Sequence, residues 1–234
     1  MAVTSTYEWR GRTGPLTLVV GPGVFTPTHT TVVMADALEI NPGDVVLDVG
    51  CGSGVLGLVA ARLGAARLVG CDVSAEAVDT AAENARRLGL SHRSEFHLGH
   101  LFDPVADVEA DVVIGDVSGV PDAVAEVMPW SSGGPTGAEL PGEMVETLGP
   151  RLRQGGRLYL PTGTMQAEDR LLEVARKVFG EDNLHPLVVR DFPLAPTLAR
   201  SPAVQRLVDD GVLAMRRRGT RLMWRLTVWR CTRT

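Results

Sequence analysis

The sequence predicts a doubly wound α/β protein, in which a mainly parallel sheet of seven strands carries helices on both faces and has an antiparallel last strand. Three observations predict this fold. Short apolar runs alternate with segments of helical period, glycine-rich turns follow several of these runs, and 234 residues with 44% hydrophobic and 22% charged content suit one α/β domain. No stretch approaches the roughly 20 apolar residues of a membrane span. The first residues lack an apolar signal core, so we expect a cytoplasmic protein.

The first fourteen residues resemble a loose arm in composition. The apolar run LTLVV at 16–20 precedes the turn residues GPG and predicts a strand. A helix is predicted from about Thr30 to Ile40, because Asn41, Pro42 and Gly43 would stop it there.

A regular alternation of strands and helices follows. The run at 45–49 predicts a strand buried on both faces, 53–64 an apolar helix, and 67–73 a second strand. Ser74 is a suitable N-cap for the next helix, with Glu76 in its first turn. The remaining strands are predicted at 94–98, 111–116, 156–161, 184–192 and 221–231, and the remaining helices at 139–152, 166–179 and 203–215. We interpret residues 193–220 as an insertion over the sheet.

The net charge of the chain is mildly negative, at -5, and does not indicate non-specific nucleic-acid binding. Lys177 is the only lysine among 23 basic residues. Genomic base composition explains that imbalance, and an anion-binding surface is the alternative. The run Arg216 to Arg218 is either a solvated charge run or a site for an anionic group or RNA. The three cysteines, Cys51, Cys71 and Cys231, cannot all pair and lack the spacing of metal ligands.

The most informative motif is VVLDVGCGSGVLG, in which glycines stand at alternate positions between a strand and a helix. Glycines allow a tight turn and let a ligand approach the backbone, and the helix N-terminus behind them presents unpaired N–H groups. Asp72 stands at the end of the next strand, where a carboxylate accepts hydrogen bonds from ribose hydroxyls in nucleotide-binding folds.

Two ligands fit this motif. Gly52, Gly54 and Gly57 match the dinucleotide fingerprint, with Asp72 about twenty residues further on. Asp48, however, directly precedes the loop, and its carboxylate would repel a pyrophosphate but attract an ammonium group. A ligand with an amino-acid end and a ribose end therefore suits this pair of carboxylates better than a nicotinamide dinucleotide.

At these residues the sequence resembles the class I S-adenosylmethionine-dependent methyltransferases, over roughly residues 16–192, and their Rossmann-like fold. LDVGCGSG is similar to their first motif, and GCDVSAEAVDTAAENA to their second. The resemblance implies S-adenosylmethionine as cofactor, with its methionine and ribose portion on Gly50, Cys51, Gly52 and Gly54, and with Asp48 near its ammonium group. Asp72 would bind the ribose hydroxyls, and Val73 would flank the adenine.

A narrower resemblance concerns the branch that contains the glutamine methyltransferases of peptide release factors and related RNA and ribosomal-protein methyltransferases. It depends on GPGVFTPTHTTVVMADAL, the pair Asn84-Ala85 and WSSGGPTGAEL. In that branch the segment from Phe25 to Thr31 covers the methionine end of the cofactor. LGHLFDPV resembles a segment that contacts adenine, which implicates His100 and Leu101, although His100 stands where an aspartate is usual.

The sequence departs from that branch after the fourth strand of the alternation. The branch carries Asn-Pro-Pro-Tyr there, which holds a planar nitrogen group, whereas this chain has Asp116-Val117-Ser118-Gly119. Asp116 is our candidate catalytic residue, as a general base or an orienting group that also borders the cofactor; capping of the following turn is the alternative. Ser118 and Trp130 are candidate substrate-binding residues. No metal is expected, because no second acidic residue follows the next strand.

Because the planar-nitrogen clamp is missing, the sequence predicts a methyltransferase that acts on an oxygen or nitrogen of a small molecule. The alternatives are a protein or RNA methyltransferase, and a protein that uses S-adenosylmethionine without transferring its methyl group. We expect a small-molecule substrate and no nucleic-acid or membrane partner. Residues 1–40 would form an arm, strand and helix over the cofactor site, and residues 41–234 one compact methyltransferase domain with the 193–220 insertion.

Overall fold

The structure is a computed structural model that describes residues 4–125 and 132–234. It consists of two compact units. The first unit comprises Met1–Asp116, Leu148–Leu160 and Thr232–Thr234, and the second comprises Val117–Thr147 and Pro161–Cys231.

The first unit begins with a two-stranded antiparallel sheet of β1 (Ser5–Trp9) and β2 (Leu16–Val20). The prediction of a loose arm was therefore wrong. Trp9 is fully buried, and its indole N–H donates to the carbonyl of Arg12 at 3.0 Å, so the short polar strand is held by one large side chain. Helix α1 (His29–Ala37) then ends three residues before the predicted Ile40.

The first unit continues with the alternation that the sequence predicts. Its elements are β3 (Val45–Val49), α2 (Val55–Leu63), β4 (Arg67–Asp72), α3 (Ala75–Arg87), β5 (Ser94–Leu98) and β6 (Ala110–Ile114). The four strands pair in parallel, and β6 also pairs in parallel with the start of β7 (Leu152–Gly163). The central strands β3 and β6 are apolar because their side chains are buried on both faces, as at Leu47 and Val113.

The strand order reverses between β3 and β6. Strands β4 and β5 lie on one side of β3, whereas β6 and β7 lie on the other. In open α/β sheets, ligands bind outside the carboxyl ends of the strands at such a switch point. The glycine loop follows β3 and Asp116 follows β6, so the sequence-predicted ligand site flanks the switch point.

The second unit contains most of the carboxyl-terminal elements. They are α4 (Asp122–Ala125), α5 (Glu139–Thr147), α6 (Glu168–Phe179), β8 (Leu184–Pro193), α7 (Pro196–Ala199), α8 (Pro202–Asp209), β9 (Arg216–Arg218) and β10 (Arg221–Thr232). Strand β10 pairs antiparallel with β8 and β9. The predicted helix at 203–215 is shorter than expected. Val204 of α8 is buried in a hydrophobic core cluster. Leu213 belongs to the same cluster, although it lies beyond the end of the helix.

The main sheet has the strand order β5-β4-β3-β6-β7-β10-β8, with the short β9 added beside β10. The predicted fold class, a mainly parallel sheet of seven strands with an antiparallel last strand, is confirmed. Strand β9 is the one addition to the predicted sheet, and it lies in the predicted insertion. Among the described residues, no helix is long and apolar enough to cross a membrane.

Candidate functional site

The glycine loop between β3 and α2 adopts a backbone that only glycine accepts readily. Gly50, Gly52 and Gly54 have φ angles of 72°, 53° and 79°, in the left-handed region. A Cβ at Gly54 would lie 2.9 Å from the Cβ of Ala81, so the loop packs directly on α3. A Cβ at Gly52 would meet nothing within 4 Å, which leaves open space beside the loop.

Asp48 is held beneath this loop. Its carboxylate accepts a hydrogen bond from the Gly57 N–H at 2.9 Å, in the first turn of α2, and its side chain is almost fully buried. A Cβ at residue 57 would lie 2.8 Å from the same carboxylate oxygen. The third glycine of the apparent dinucleotide fingerprint therefore makes room for Asp48.

Asp72, at the end of β4, connects two segments of the site. One of its carboxylate oxygens accepts from the Gly52 N–H at 2.9 Å, and the other accepts from the Ser74 N–H at 2.9 Å. Each carboxylate oxygen can accept a second hydrogen bond. The side chain is thus fixed in orientation and still able to receive a pair of hydroxyl groups.

The acidic groups of the site interact electrostatically. Burial raises the pKa of Asp48 from 3.8 to about 7; the Gly57 hydrogen bond opposes this rise, and the negative charges of Asp116 and Asp72 add to it. Burial also raises the pKa of Asp116 to about 6. A carboxylate cluster that is hard to ionise favours a cationic ligand, because a positive charge would relieve both the desolvation and the repulsion.

Apolar side chains are exposed at the same edge of the sheet. Val73, directly after Asp72, is 68% exposed, and Leu98, at the end of β5 opposite Asp72, is 56% exposed. Phe25 is 36% exposed in the segment before α1. Val73 and Leu98 offer a surface for a flat apolar group such as a base. Sequence reasoning missed Leu98, although an apolar residue at the last position of a strand is the signal that could have found it.

Asn84, in the middle of α3, fixes the glycine loop to its surroundings. The side chain is fully buried; its Oδ1 accepts from the Val19 N–H at 2.7 Å, and its Nδ2 donates to the carbonyls of Val19 and Ser53, both at 2.9 Å. Ser53 belongs to the loop and Val19 to β2. The Asn84-Ala85 pair, singled out in the sequence only by resemblance, therefore has a structural role in positioning the loop.

The thiols near the loop are not poised as nucleophiles. Burial raises the pKa of Cys51 well above its ordinary value and that of Cys71 to about 12, and the charge of Asp48 adds to both effects. The Cys71 thiol donates to the Leu101 carbonyl at 2.9 Å. Leu101 itself is a non-glycine residue with a φ of 43°, and its side chain is buried, whereas the preceding His100 is exposed.

Thr31 takes part in the start of α1. Its hydroxyl oxygen accepts from the Thr28 N–H at 3.1 Å, as part of a capping box, and its side chain is buried. This accounts for a threonine at that position without any ligand.

Neither candidate substrate-binding residue belongs to the described part of the first unit. Ser118 belongs to the second unit, and Trp130 lies outside the described residues. Asp48, Asp72 and Asp116, the glycine loop and Val73 all belong to the first unit, and their donor set fits S-adenosylmethionine. The carboxylates suit its ammonium and sulfonium charges, Asp72 its ribose hydroxyls and the exposed apolar groups its adenine.

Comparison with known proteins agrees with this chemistry. Residues 8–120 match the family model of ribosomal protein L11 methyltransferase (PrmA). The chain is 36% identical over 137 residues to the ribosomal protein L11 methyltransferase of Yersinia pseudotuberculosis serotype O:1b (strain IP 31758), an alignment that covers 55% of this chain and 45% of that protein. The chain thus spans less than half the length of this relative.

Solved structures support the fold. The ribosomal protein L11 methylase of Lactobacillus delbrueckii subsp. bulgaricus aligns with a TM-score of 0.54 and 18% identity, over 92% of this chain and 84% of that one. The 16S rRNA N2 G1207 methyltransferase of T. thermophilus, in complex with AdoMet and guanosine, aligns with a TM-score of 0.63 and 16% identity, over 100% of this chain and 52% of that one. The chain has the class I S-adenosylmethionine-dependent methyltransferase fold.

The matching family and relatives are named methyltransferases, which agrees with the predicted class of enzyme and with S-adenosylmethionine as the cofactor of that class. They correct the predicted acceptor and partner. The prediction of a small-molecule substrate was wrong, because the matching family and relatives are named for a protein acceptor. The missing Asn-Pro-Pro-Tyr motif argues only against a clamp for planar nitrogen, and it carries no information on the size of the acceptor. The narrower resemblance to the release-factor branch stays a prediction.

Proposed function

We propose that this chain is an S-adenosylmethionine-dependent methyltransferase whose acceptor is a protein. The cofactor part of the proposal rests on the carboxylate cluster around the glycine loop, where Asp72 and Asp116 lie near enough to raise the pKa of Asp48. Such a cluster selects a cationic ligand and disfavours a pyrophosphate. The match of residues 8–120 to the family model supports the same ligand from sequence. The protein acceptor rests on the names of the matching family and relatives.

We assign the cofactor to residues of the first unit. Asp72 would accept hydrogen bonds from the ribose hydroxyls, and the open side of Gly52 would admit the ribose and methionine portion. The ammonium group would lie toward Asp48, and the adenine would lie on Val73 and Leu98. The part played by Gly50, Cys51, Gly54, Phe25, Thr31, His100 and Leu101, and the cover formed by residues 1–40, belong to this proposal.

Asp116 is the proposed catalytic residue. S-adenosylmethionine supplies a methyl group on a positively charged sulfur, which an amine or hydroxyl oxygen of the acceptor can attack in line. Asp116, with a pKa raised to about 6, is ionised at neutral pH and basic enough to orient the nucleophile and take up the proton that it releases. Among residues 4–125 and 132–234, no hydrogen bond to this carboxylate is formed, which supports this role over the capping of a turn.

Ribosomal protein L11 is the first acceptor to test, since the matching relatives are named for it. The experiment incubates the purified chain with S-adenosylmethionine and purified L11 and follows the protein by mass spectrometry. We expect a mass increase of one or more methyl groups, with formation of S-adenosylhomocysteine. Asp72→Ala should abolish transfer, and Asp79→Asn on the exposed face of α3 should leave it unchanged.

Two results would contradict the proposal. Formation of methylthioadenosine without a methylated protein would mean that the cofactor is used for other chemistry. Failure of L11, of total ribosomal protein and of a total protein extract to accept label, while the chain binds S-adenosylmethionine normally, would mean that the acceptor is not a protein.

A further inference from the structure

A short β-hairpin in the second unit concentrates positive charge. Strand β9 and the start of β10 are joined by Gly219 and Thr220, and Arg218 pairs with Arg221 directly across the ladder. We call Arg216, Arg217, Arg218 and Arg221 the basic hairpin. All four side chains are exposed, in a chain whose net charge is -5.

The pairing within the basic hairpin is unfavourable for the fold itself. Like charges directly opposite each other on adjacent strands are destabilising, and Arg218 and Arg221 form such a pair. Arg216 lies two residues from Arg218 and therefore projects from the same face, about 7 Å away along the strand. One face of the hairpin thus carries three guanidinium groups, two along β9 and one across from Arg218 on β10.

No direct ion pair neutralises these groups, although Arg216 lines a pocket that Glu168 and Asp191 also line. Within the described parts of the chain, no carboxylate lies within 4.0 Å of any arginine of the basic hairpin. Some arginines elsewhere in the chain do have acidic partners. Arg86 and Arg87 both pair with Glu83, at 2.7 and 2.6 Å, and Arg157 pairs with Asp44 at 2.6 Å.

Protection of a sheet edge does not account for the charge. A charged side chain or a very short length commonly protects an edge strand from pairing with another chain, and β9 is only three residues long. A second, third and fourth arginine add repulsion without adding protection. The charge is better explained by an anion that binds between the arginines and relieves their repulsion.

We propose that the basic hairpin binds the phosphate backbone of a nucleic acid. Guanidinium groups match phosphate oxygens in planar, two-point hydrogen bonds, and three of them on one face suit an anion that carries several neighbouring phosphates. A two-stranded ribbon is also narrow enough to enter a nucleic-acid groove. The proposal concerns a second binding surface and does not depend on methyl transfer.

The test measures binding of labelled RNA and DNA oligonucleotides, single-stranded and duplex, between 50 and 200 mM salt by fluorescence anisotropy (roughly the range over which phosphate contacts change affinity most). The variant carries Arg216→Gln, Arg218→Gln and Arg221→Gln. A control with the same change in net charge carries Arg86→Gln, Arg87→Gln and Arg176→Gln on α3 and α6.

We expect the hairpin variant to lose at least about tenfold in affinity at low salt and to reduce the slope of log affinity against log salt by about 2 to 3, whereas the control changes little. Preference for RNA or for DNA then identifies the source of the phosphates. Equal losses in both variants, no binding by the unmodified chain, or equal competition by polyglutamate would overturn the proposal. Methyl transfer to isolated L11 should persist in the hairpin variant, so a failure of the proposed function remains a separate result.

Discussion

Replacing Asp48 with asparagine is expected to change how the stability of the first unit depends on pH. The carboxyl is almost fully buried, and its pKa in the folded chain is about 7 against an ordinary 3.8. Between these values the folded chain keeps a proton that the unfolded chain releases. The contribution of Asp48 to stability is therefore fully present below about pH 4 and is lost as the pH rises through 7.

The magnitude follows from the same two values. Each pKa unit corresponds to about 1.4 kcal/mol, so the difference between about 7 and 3.8 amounts to about 4 kcal/mol as an upper bound. Asparagine has the same shape, keeps an oxygen that can accept from Gly57, and carries no charge at any pH. The free energy of unfolding of Asp48→Asn, relative to the unmodified chain, should thus rise by up to about 4 kcal/mol between pH 4 and pH 8.

Urea unfolding at a series of pH values, followed by circular dichroism and by amide exchange in β3, measures this difference. Taking the difference between the two chains at each pH cancels the titration of all other groups. Asp79→Asn, at an exposed position on α3, is the matched control and should give a difference that does not vary with pH. A difference for Asp48→Asn that is the same at pH 4 and pH 8 would refute the reasoning.

The remaining predictions concern the loop and the proposed base. Asn84→Ala removes three buried hydrogen bonds to Val19 and Ser53 and should lower the unfolding free energy by about 3 kcal/mol, with weaker binding of S-adenosylmethionine measured by calorimetry. Gly52→Ala should lower the unfolding free energy in urea by only about 1 to 2 kcal/mol, because the left-handed φ is unfavourable for alanine but no atom lies within 4 Å of the added Cβ. The added methyl group fills the open space beside the loop and should therefore weaken cofactor binding at least about tenfold. If Asp116 is the base, kcat/KM should rise with pH through about 6, and Asp116→Asn should lose this inflection in the pH–rate profile.

The sheet could be predicted from the sequence because its central strands carry a local signal. Strand β3 has the bounds 45–49 that its apolar run predicts, and β4 (Arg67–Asp72) ends one residue before the predicted 73. Strand β1 could not be predicted in this way, since STYEW is polar and mostly exposed and only Trp9 is fully buried. Strand β9 escaped prediction for a similar reason: three arginines have no apolar period, and their pairing with β10 is a tertiary effect.

In the site, too, some features follow from the local sequence, and others depend on residues that are far apart in the sequence. The positive φ angles of Gly50, Gly52 and Gly54 follow from the spacing of the glycines between a strand and a helix. Of the two bonds that orient Asp72, the one from Ser74 is local, whereas the one from Gly52 comes from 20 residues earlier in the sequence. Asn84, by contrast, joins segments that are 65 and 31 residues away in sequence, so its role becomes visible only in three dimensions.

The described residues include two clusters of like charge: the carboxylates of the first unit and the arginines of the basic hairpin in the second unit. In the first unit, Asp48 and its acidic neighbours make ionisation costly, so a ligand with positive charge would stabilise the ionised site. A cation that binds there should lower the pKa of Asp48, and its affinity should therefore increase as the pH rises toward 7. In the second unit, Arg218 and Arg221 face each other without a carboxylate, and an anion would have the corresponding effect. Since neither cluster is favourable for folding, both are better explained by ligands of opposite charge than by the stability of the chain.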